Sequence, residues 1–418
     1  MNRTTAYREI TQCRICGNKT LLPILSLGCQ ALTGVFPKTK DDPVTSGPLE
    51  LVQCGGSSKK DRCGLVQLRQ SYRKDEMYGK NYGYHSALNK SMVEHLHSQV
   101  KRILGRISLV PGDLVVDIGS NDATLLKAYP QKGPLLVGID PTGNQFQKYY
   151  PRHIRLIPEY FSSEALRKHF GDKKAKVVTS IAMFYDLEAP LDFMKQVQEI
   201  LADDGVWVLE QSYLPTLLKR NAYDTICHEH LEYYGLRQVQ WMAQRAGLKI
   251  VDVDLNDING GSFAVTLAKF GSAYRENSAA IEKLLRQERS LSTRKPFDTF
   301  RRRTLAHREA LRRFLRKARS QGKMVIGYGA STKGNVILQF CGVTSKDIPC
   351  IGEVNTEKFG CYTPGTLIPI VSERQAKARN PDYFIVLPWH FKDFILKKEA
   401  RYLKTGRLLF PLPSLKVY

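Results

Sequence analysis

The stretch Leu114-Val115-Val116-Asp117-Ile118-Gly119-Ser120-Asn121-Asp122 constrains the fold more than any other in the chain. It is a short apolar run ending in a polar turn at a glycine, and a helix is predicted from Ala123-Thr124-Leu125-Leu126. A second apolar run, Pro134-Leu135-Leu136-Val137-Gly138-Ile139, ends in Asp140, 21 positions after Gly119. A strand that turns at a glycine beneath a helix, with an acid closing the next strand, outlines a nucleoside-binding unit. The fingerprint G-x-G-x-x-G is absent and Asp122 stands in the turn, where a pyrophosphate would meet a carboxylate. A cofactor without phosphates, carrying a sulfonium and an ammonium, suits the acidic turn better. That description fits S-adenosylmethionine (SAM).

Strands and helices go on alternating. Lys176 to Met183 reads as a strand leading into Phe184-Tyr185-Asp186-Leu187, and Phe193 to Leu201 as a helix. After the turn Ala202-Asp203-Asp204-Gly205, Val206 to Glu210 reads as another strand. This order predicts an α/β fold with a doubly wound parallel sheet, which binds ligands at the carboxyl ends of its strands. Asp117 to Asp122, Asp140, Met183 to Tyr185 and Glu210 to Tyr213 all fall there. A second strand-glycine-helix opening, Lys323 to Ala330 and then Ser331 to Phe340, predicts another domain of the same kind. Backbone N–H groups at that helix start, with Lys333 nearby, can hold an anion such as a nucleotide diphosphate, or the turn serves the fold alone. The spacing is not that of a Walker loop.

Four of the nine cysteines cluster. Cys13-Arg14-Ile15-Cys16 is a C-x-x-C knuckle, and Cys54 and Cys63 follow among glycines. Four thiolates fill a tetrahedral zinc shell and leave no open position, so a zinc here is structural. Cys29 is an alternative ligand, and four unrelated buried thiols are the plainer reading. Nine cysteines in 418 residues do not make a secreted disulfide framework. No apolar run approaches the roughly 18 residues of a membrane span. The N-terminus lacks a signal segment, so the expectation is a cytoplasmic protein without a membrane partner.

The net charge is +23, and about half of it sits in one segment. Between Arg275 and Lys323 stand 16 Lys or Arg against five Asp or Glu. Phe297, Phe300, Leu311, Phe314, Leu315 and Ala318 recur there at helical spacing. The pattern predicts a long amphipathic helix with a solvated basic face. Neither a zinc-finger Cys-His pattern nor an aromatic RNA-binding motif argues for nucleic acid.

The densest chemistry lies in Tyr223-Asp224-Thr225-Ile226-Cys227-His228-Glu229-His230-Leu231. The triplet is not the H-E-x-x-H of a zincin helix. On an extended segment His228 and His230 would point one way and Glu229 the other. That suits a metal pair, a general base with an orienting carboxylate, or a hydrogen-bonded structural cluster. Asn259-Gly260-Gly261-Ser262 is a polar glycine turn that presents N–H groups to a ligand or merely closes a hairpin. The glycine-spaced tyrosines of 78–84, Tyr82 among them, cover a ligand or a domain junction.

In their order along the chain, these motifs resemble the sugar C-methyltransferases that act on nucleotide-linked keto-deoxysugars. The resemblance covers nearly the whole chain. It rests on Cys13-x-x-Cys16 with Cys54 and Cys63, Val116 to Asp122, His228-Glu229-His230-Leu231, Asn259-Gly260-Gly261-Ser262, and Gly327-Tyr328-Gly329-Ala330-Ser331-x-Lys333-Gly334-Asn335. It implies a zinc-binding module at 1–75, a Rossmann-like SAM-binding methyltransferase domain at 76–300, and a second Rossmann-like domain at 301–418. The substrate would lie between the last two.

The resemblance also implies roles. His230 would take a proton from the carbon beside a ketone, Glu229 would position it or bind substrate, and His228 and Tyr185 would join them. Asp117, Gly119, Ser120, Asn121, Asp122, Asp140, Met183 and Tyr82 fall to SAM. Tyr223, Cys227, Asn259, Ser262, Gly329 and Lys333 fall to the substrate, and Cys13, Cys16, Cys54 and Cys63 to zinc. Two positions depart from the family pattern: Cys227 replaces a tyrosine, and Phe184-Tyr185 stands where a histidine is usual. Tyr185 is the residue there able to supply a hydrogen-bond donor. An O- or N-methyltransferase acting on another small molecule, and a zinc-containing nucleic-acid-binding protein, are the other classes open. A monomer or weak oligomer is expected.

Overall fold

The computed structural model describes residues 6–56, 62–77 and 85–418. The N-terminal part is antiparallel. β1 (Tyr7–Glu9) is extended against β5 (Gln70–Tyr72). β2 (Leu21–Ala31), β3 (Ser46–Cys54) and β4 (Val66–Leu68) form a meander. A fourth strand joins this sheet from far along the chain: β11 (Glu232–Tyr233) pairs with β4, Glu232 opposite Gln67. The residues that complete the N-terminal sheet therefore begin two positions after His230.

The central sheet comprises β6 (Leu114–Ile118), β7 (Leu135–Ile139), β8 (Ile154–Ile157), β9 (Ala175–Ile181), β10 (Leu201–Ser212), β12 (Leu248–Asn256) and β13 (Ser262–Lys269). Their order is β12-β13-β10-β9-β6-β7-β8. β13 alone runs against its neighbours. Parallel strands need both faces covered and read as unbroken apolar runs, and every residue of β6 is buried. Strand order reverses at β6, which pairs with β7 on one side and β9 on the other. The crevice over their carboxyl ends is where such sheets hold ligands.

A third sheet is centred on β14 (Val325–Tyr328). β15 (Ile351–Glu353) and β16 (Ile370–Ser372) lie on one side, and β17 (Tyr383–Val386), β18 (Arg407–Phe410) and β19 (Lys416–Val417) on the other. Only β19 is antiparallel. The protein is thus α/β, with a central Rossmann-like sheet, a second Rossmann-like sheet and a small cysteine-bearing module.

Two local expectations change. No α-helix follows Gly119; a single 3-10 turn, Leu126–Ala128, takes its place. Asn121 and Ala123 adopt positive φ, and the Asp122 carboxylate accepts from Thr124 N–H at 3.2 Å, so the chain closes into a tight loop. The basic segment divides into helices Ser278–Gln287 and Lys295–Ser320. The longer one buries Phe297, Phe300, Leu311, Leu315 and Ala318 and runs unbroken through residue 300. No helix among the described residues is long and apolar enough to cross a membrane.

Candidate active site and zinc centre

The four sulfurs of Cys13, Cys16, Cys54 and Cys63 lie within 4.8 Å of one another, with Cys13–Cys63 and Cys16–Cys54 each at 3.5 Å. Zn–S bonds of about 2.3 Å in a tetrahedron place sulfurs about 3.8 Å apart, so the donor set fits zinc. Gly17 takes a φ of +71° and its N–H donates to Cys13 O at 2.9 Å, which closes the knuckle. Asn18 Nδ2 donates to Cys54 Sγ and Leu65 N–H to Cys63 Sγ, both at 3.4 Å. Such donors stabilise thiolate charge. Cys29 is exposed and outside the group.

A cavity of about 270 Å³ opens at the carboxyl ends of β6, β7, β9 and β10. Asp117, Gly119, Ser120, Asn121, Asp140 and Met183 all line it. Gly119 has a φ of +75°, and a Cβ there would stand 3.0 Å from Met183 Cγ, inside the cradle. Asp140 accepts from Asn121 N–H at 2.8 Å and Thr142 N–H at 2.7 Å, so the second strand's acid ties down the glycine turn. Asp117 accepts from Thr179 Oγ1 at 2.6 Å. Carboxylates for hydroxyl and cationic groups, beside an apolar wall that includes Met92, Leu96 and Phe193, suit SAM.

Asp122 departs from expectation. It is fully buried and is not among the cavity's lining residues. Its carboxylate accepts from Ala87 and Thr124 N–H groups, so it shapes the loop rather than meeting the cofactor. Tyr82 lies outside the described residues.

Burial, with a smaller contribution from the charge of Asp140, pushes the pKa of Asp117 up to about 7. A bound cation favours the carboxylate. SAM binding should therefore release a proton below pH 7, and affinity should rise with pH and level off above it. The slope is up to about tenfold per pH unit. Calorimetry across pH 5.5–8 would check this. Asp117→Asn should flatten the curve; an unchanged slope in that variant would place the titrating group elsewhere.

The His228-Glu229-His230 segment is a turn, not an extended strand, and His230 N–H donates back to Cys227 O at 3.2 Å. The two imidazoles therefore part company. His228 is fully buried, donates from Nε2 to Gln30 O at 3.1 Å, and meets the ring of Tyr72 edge-on at 4.6 Å. It braces the N-terminal module and is not available to a substrate. His230 donates from Nδ1 to Thr225 O at 2.8 Å and lies against the Tyr185 ring at 4.2 Å. A carbonyl can only accept, so Nε2 of His230 keeps its lone pair. Burial, aided by the positive charge of Lys333, holds its pKa near 4 and the ring neutral at pH 7.

The group that orients His230 is thus a backbone carbonyl. Glu229 turns instead toward the N-terminal module, where a Cβ on Gly34 would come within 3.1 Å of its Oε1. No histidine pair forms a metal site; among the described residues only the four cysteines group that way. Tyr223 and Cys227 are interior rather than cavity residues. The Tyr223 hydroxyl lies 3.0 Å from His307 Nδ1 and its ring packs on Phe340, while Cys227 sits in the apolar core.

A second cavity of about 310 Å³ adjoins the first and shares Met92, Ile258 and Asn259 with it. Its polar lining includes Ser91, His95, Asn256 and His390. Ser262 Oγ donates to Ile258 O at 3.0 Å and holds the glycine turn in place. Lys333 Nζ reaches across from the C-terminal domain to Asn259 O at 2.6 Å. Burial lowers the pKa of this ammonium, and the neighbouring Asp224 opposes the shift. At the C-terminal glycine turn a Cβ on Gly329 would come 2.8 Å from Pro388. Ala330 N–H there donates to Glu353 Oε2 at 2.7 Å and Gly334 N–H to Ser331 Oγ at 3.0 Å. Those donors, expected to face an anion, are engaged by the protein itself.

One strand-end residue has partners that the sequence did not reveal. Glu210, at the carboxyl end of β10, accepts from His95 Nε2 at 2.6 Å, Gln99 Nε2 at 2.6 Å and Asn256 Nδ2 at 2.9 Å. The available signal was His95 and Gln99, four apart on one helix face opposite a strand-end acid.

Family comparisons divide the chain in the same order. A zinc binding domain family matches residues 13–78, a methyltransferase domain family residues 92–253, and the C-methyltransferase C-terminal domain family residues 257–413. The chain is 34% identical over 418 residues to C-methyltransferase NovU of Streptomyces niveus, covering 98% of this chain and 97% of that one. Among solved structures, the cyclopropane synthase MmaA2 of Mycobacterium tuberculosis is 17% identical, over 45% of this chain and 90% of that one, with a TM-score of 0.35. The magnesium protoporphyrin IX methyltransferase ChlM of Synechocystis PCC 6803, with bound SAM, is 14% identical, over 42% and 79%, with a TM-score of 0.32. The near full-length match and the three family matches, together with the four-cysteine centre, mean that this chain belongs to the C-methyltransferase family and is a SAM-dependent, zinc-binding member of it.

Proposed function

We propose that the protein methylates the carbon beside a ketone in a nucleotide-linked deoxysugar. The reading divides the chain into parts at 1–75, 76–300 and 301–418, with the acceptor held between the last two. A carbonyl acidifies the neighbouring C–H bond, so the reaction needs a neutral base close to the cofactor. The observation that carries the reading is His230, whose tautomer is locked by Thr225 O with Nε2 left to accept a proton. Tyr185, against the same ring, supplies a hydroxyl, and Glu229 supports the turn. SAM supplies an electrophilic methyl group. Asp117, Gly119, Ser120, Asn121, Asp140 and Met183 hold and orient it, with Asp122 shaping the loop from behind. Asn259 borders both cavities, and Lys333 anchors the glycine turn from the C-terminal side and offers a cation to the nucleotide phosphates.

The test is methyl transfer from labelled SAM to a panel of nucleotide-linked 4-keto-6-deoxysugars, with NMR of the product. A new C–CH₃ beside the carbonyl is expected. Label on oxygen or nitrogen would move the protein to a different acceptor chemistry.

A further inference from the structure

Enolisation makes two demands, and His230 meets only one of them. A base must accept the proton from carbon, and a donor must meet the charge that collects on oxygen. The structure holds a second imidazole that the reading above does not use. His95, on the helix Lys90–Leu104, lines the second cavity, while its partner Glu210 lines the SAM cavity. Both groups are almost withdrawn from solvent, at 9% and 3% side-chain exposure. Glu210 also accepts from Gln99 and Asn256, so three donors converge on one carboxylate and fix it at the junction of the two cavities. Nε2 of His95 is committed to that carboxylate. Nδ1 is the nitrogen through which the ring can reach an acceptor.

We propose that His95, held by Glu210, is a further catalytic residue that stabilises the charge developing on the oxygen of the methyl acceptor. The proposal rests on the ketone reading. When His230 takes the proton from carbon, the electron pair of that C–H bond moves into the new C=C bond and the carbonyl pair onto oxygen. Nδ1–H of His95 then donates to this oxygen. A ring donating at both nitrogens carries positive charge, which the Glu210 carboxylate balances. As the carbon–methyl bond forms, the pair returns and C=O is restored. The hydrogen bond relaxes with its proton still on His95, and the proton on His230 passes to solvent. Donors placed in a dry site before charge develops are worth most to a transition state.

The experiment is deuterium wash-in at the acceptor's acidic carbon, in ²H₂O with S-adenosylhomocysteine in place of SAM. It reads proton abstraction without methyl transfer. His95→Gln should lower wash-in and kcat together by about 10²–10³-fold, the size of a lost oxyanion donor. The KM for the acceptor should change little. SAM affinity and zinc content should be preserved, because His95 lines neither site. Glu210→Gln, which keeps the shape and removes the charge, should also slow wash-in, and it carries the test if His95→Gln fails to bind SAM. Wild-type wash-in in both variants would overturn the assignment. A wild-type protein that methylates its acceptor on oxygen, with no wash-in, would overturn the ketone reading and this assignment with it.

Discussion

Replacing His230 by alanine is expected to lower methyl transfer by about 10²–10⁴-fold, the usual contribution of a positioned general base. SAM affinity should stay where it is, because His230 is not among the residues lining the cavity proposed to hold SAM. The size of the effect follows from the ring's isolation. His228 is buried against Gln30 and cannot swing in, and Glu229 is turned toward Gly34. Within the triplet, no neighbour can take over the base. Stopped-time assays with labelled SAM, paired with calorimetry for the cofactor, separate the two quantities. Normal turnover in His230→Ala would remove this residue from the chemistry. Loss of SAM binding would show that its role is structural, holding Tyr185 and through it the neighbouring lining residues Met183 and Asp186.

Removing zinc should have a larger effect on the whole molecule. Structural zinc sites contribute on the order of 10 kcal/mol to the folding of the modules they hold. Here the module does not end at its own boundary. Cys63 O accepts from Gln238 Nε2 at 2.9 Å, and Leu68 N–H donates to Leu231 O at 2.8 Å. Arg14, inside the C-x-x-C knuckle, lies 3.6 Å from Glu232, and both side chains are buried. Burial alone would disfavour both charges, lowering the pKa of Arg14 and raising that of Glu232, so each depends on the other being in place. Losing the metal therefore releases β11, and with it the turn that carries His230. Chelation, or Cys63→Ser, should lower the melting temperature and abolish methyl transfer together. An unchanged Tm and rate, with zinc loss verified by elemental analysis, would refute the coupling.

Several features were legible from residue order. The apolar runs at Leu114 and Leu135, closed by Asp117 and Asp140, point to buried parallel strands because they are too short for helices and alternate with polar turns and helical segments. Asp117, Gly119 and Asp140 at one cavity follow from that alone, since successive strand ends of a parallel sheet converge on one side. The knuckle Cys13-x-x-Cys16 was legible for a similar local reason: two thiols three apart with a following glycine can converge by turn geometry. The basic face of Lys295–Ser320 was readable from its helical spacing.

Other features depended on partners distant in sequence. The triplet His228-Glu229-His230 permits an extended or a turned backbone, and the difference decides whether its imidazoles share a face. The turn prevails because β11 must pair with β4, and because Gln30 and Thr225 carbonyls are positioned to receive one imidazole each. Asp122 looks like a ligand-facing acid from its place in the loop, yet its carboxylate is consumed by Ala87 N–H, 35 positions earlier. His95 and Glu210 lie 115 residues apart, and only the packing of the Lys90–Leu104 helix over β10 brings them within 2.6 Å. Sequence alone determined the parallel strands of the two α/β domains, the cysteine knuckle and the acids at the strand ends, because periodicity and short-range turn geometry encode them. Tertiary structure decided which histidine is free to act, which acid is spent on the backbone and where the two cavities meet. Those outcomes depend on hydrogen-bond partners that no local pattern can supply.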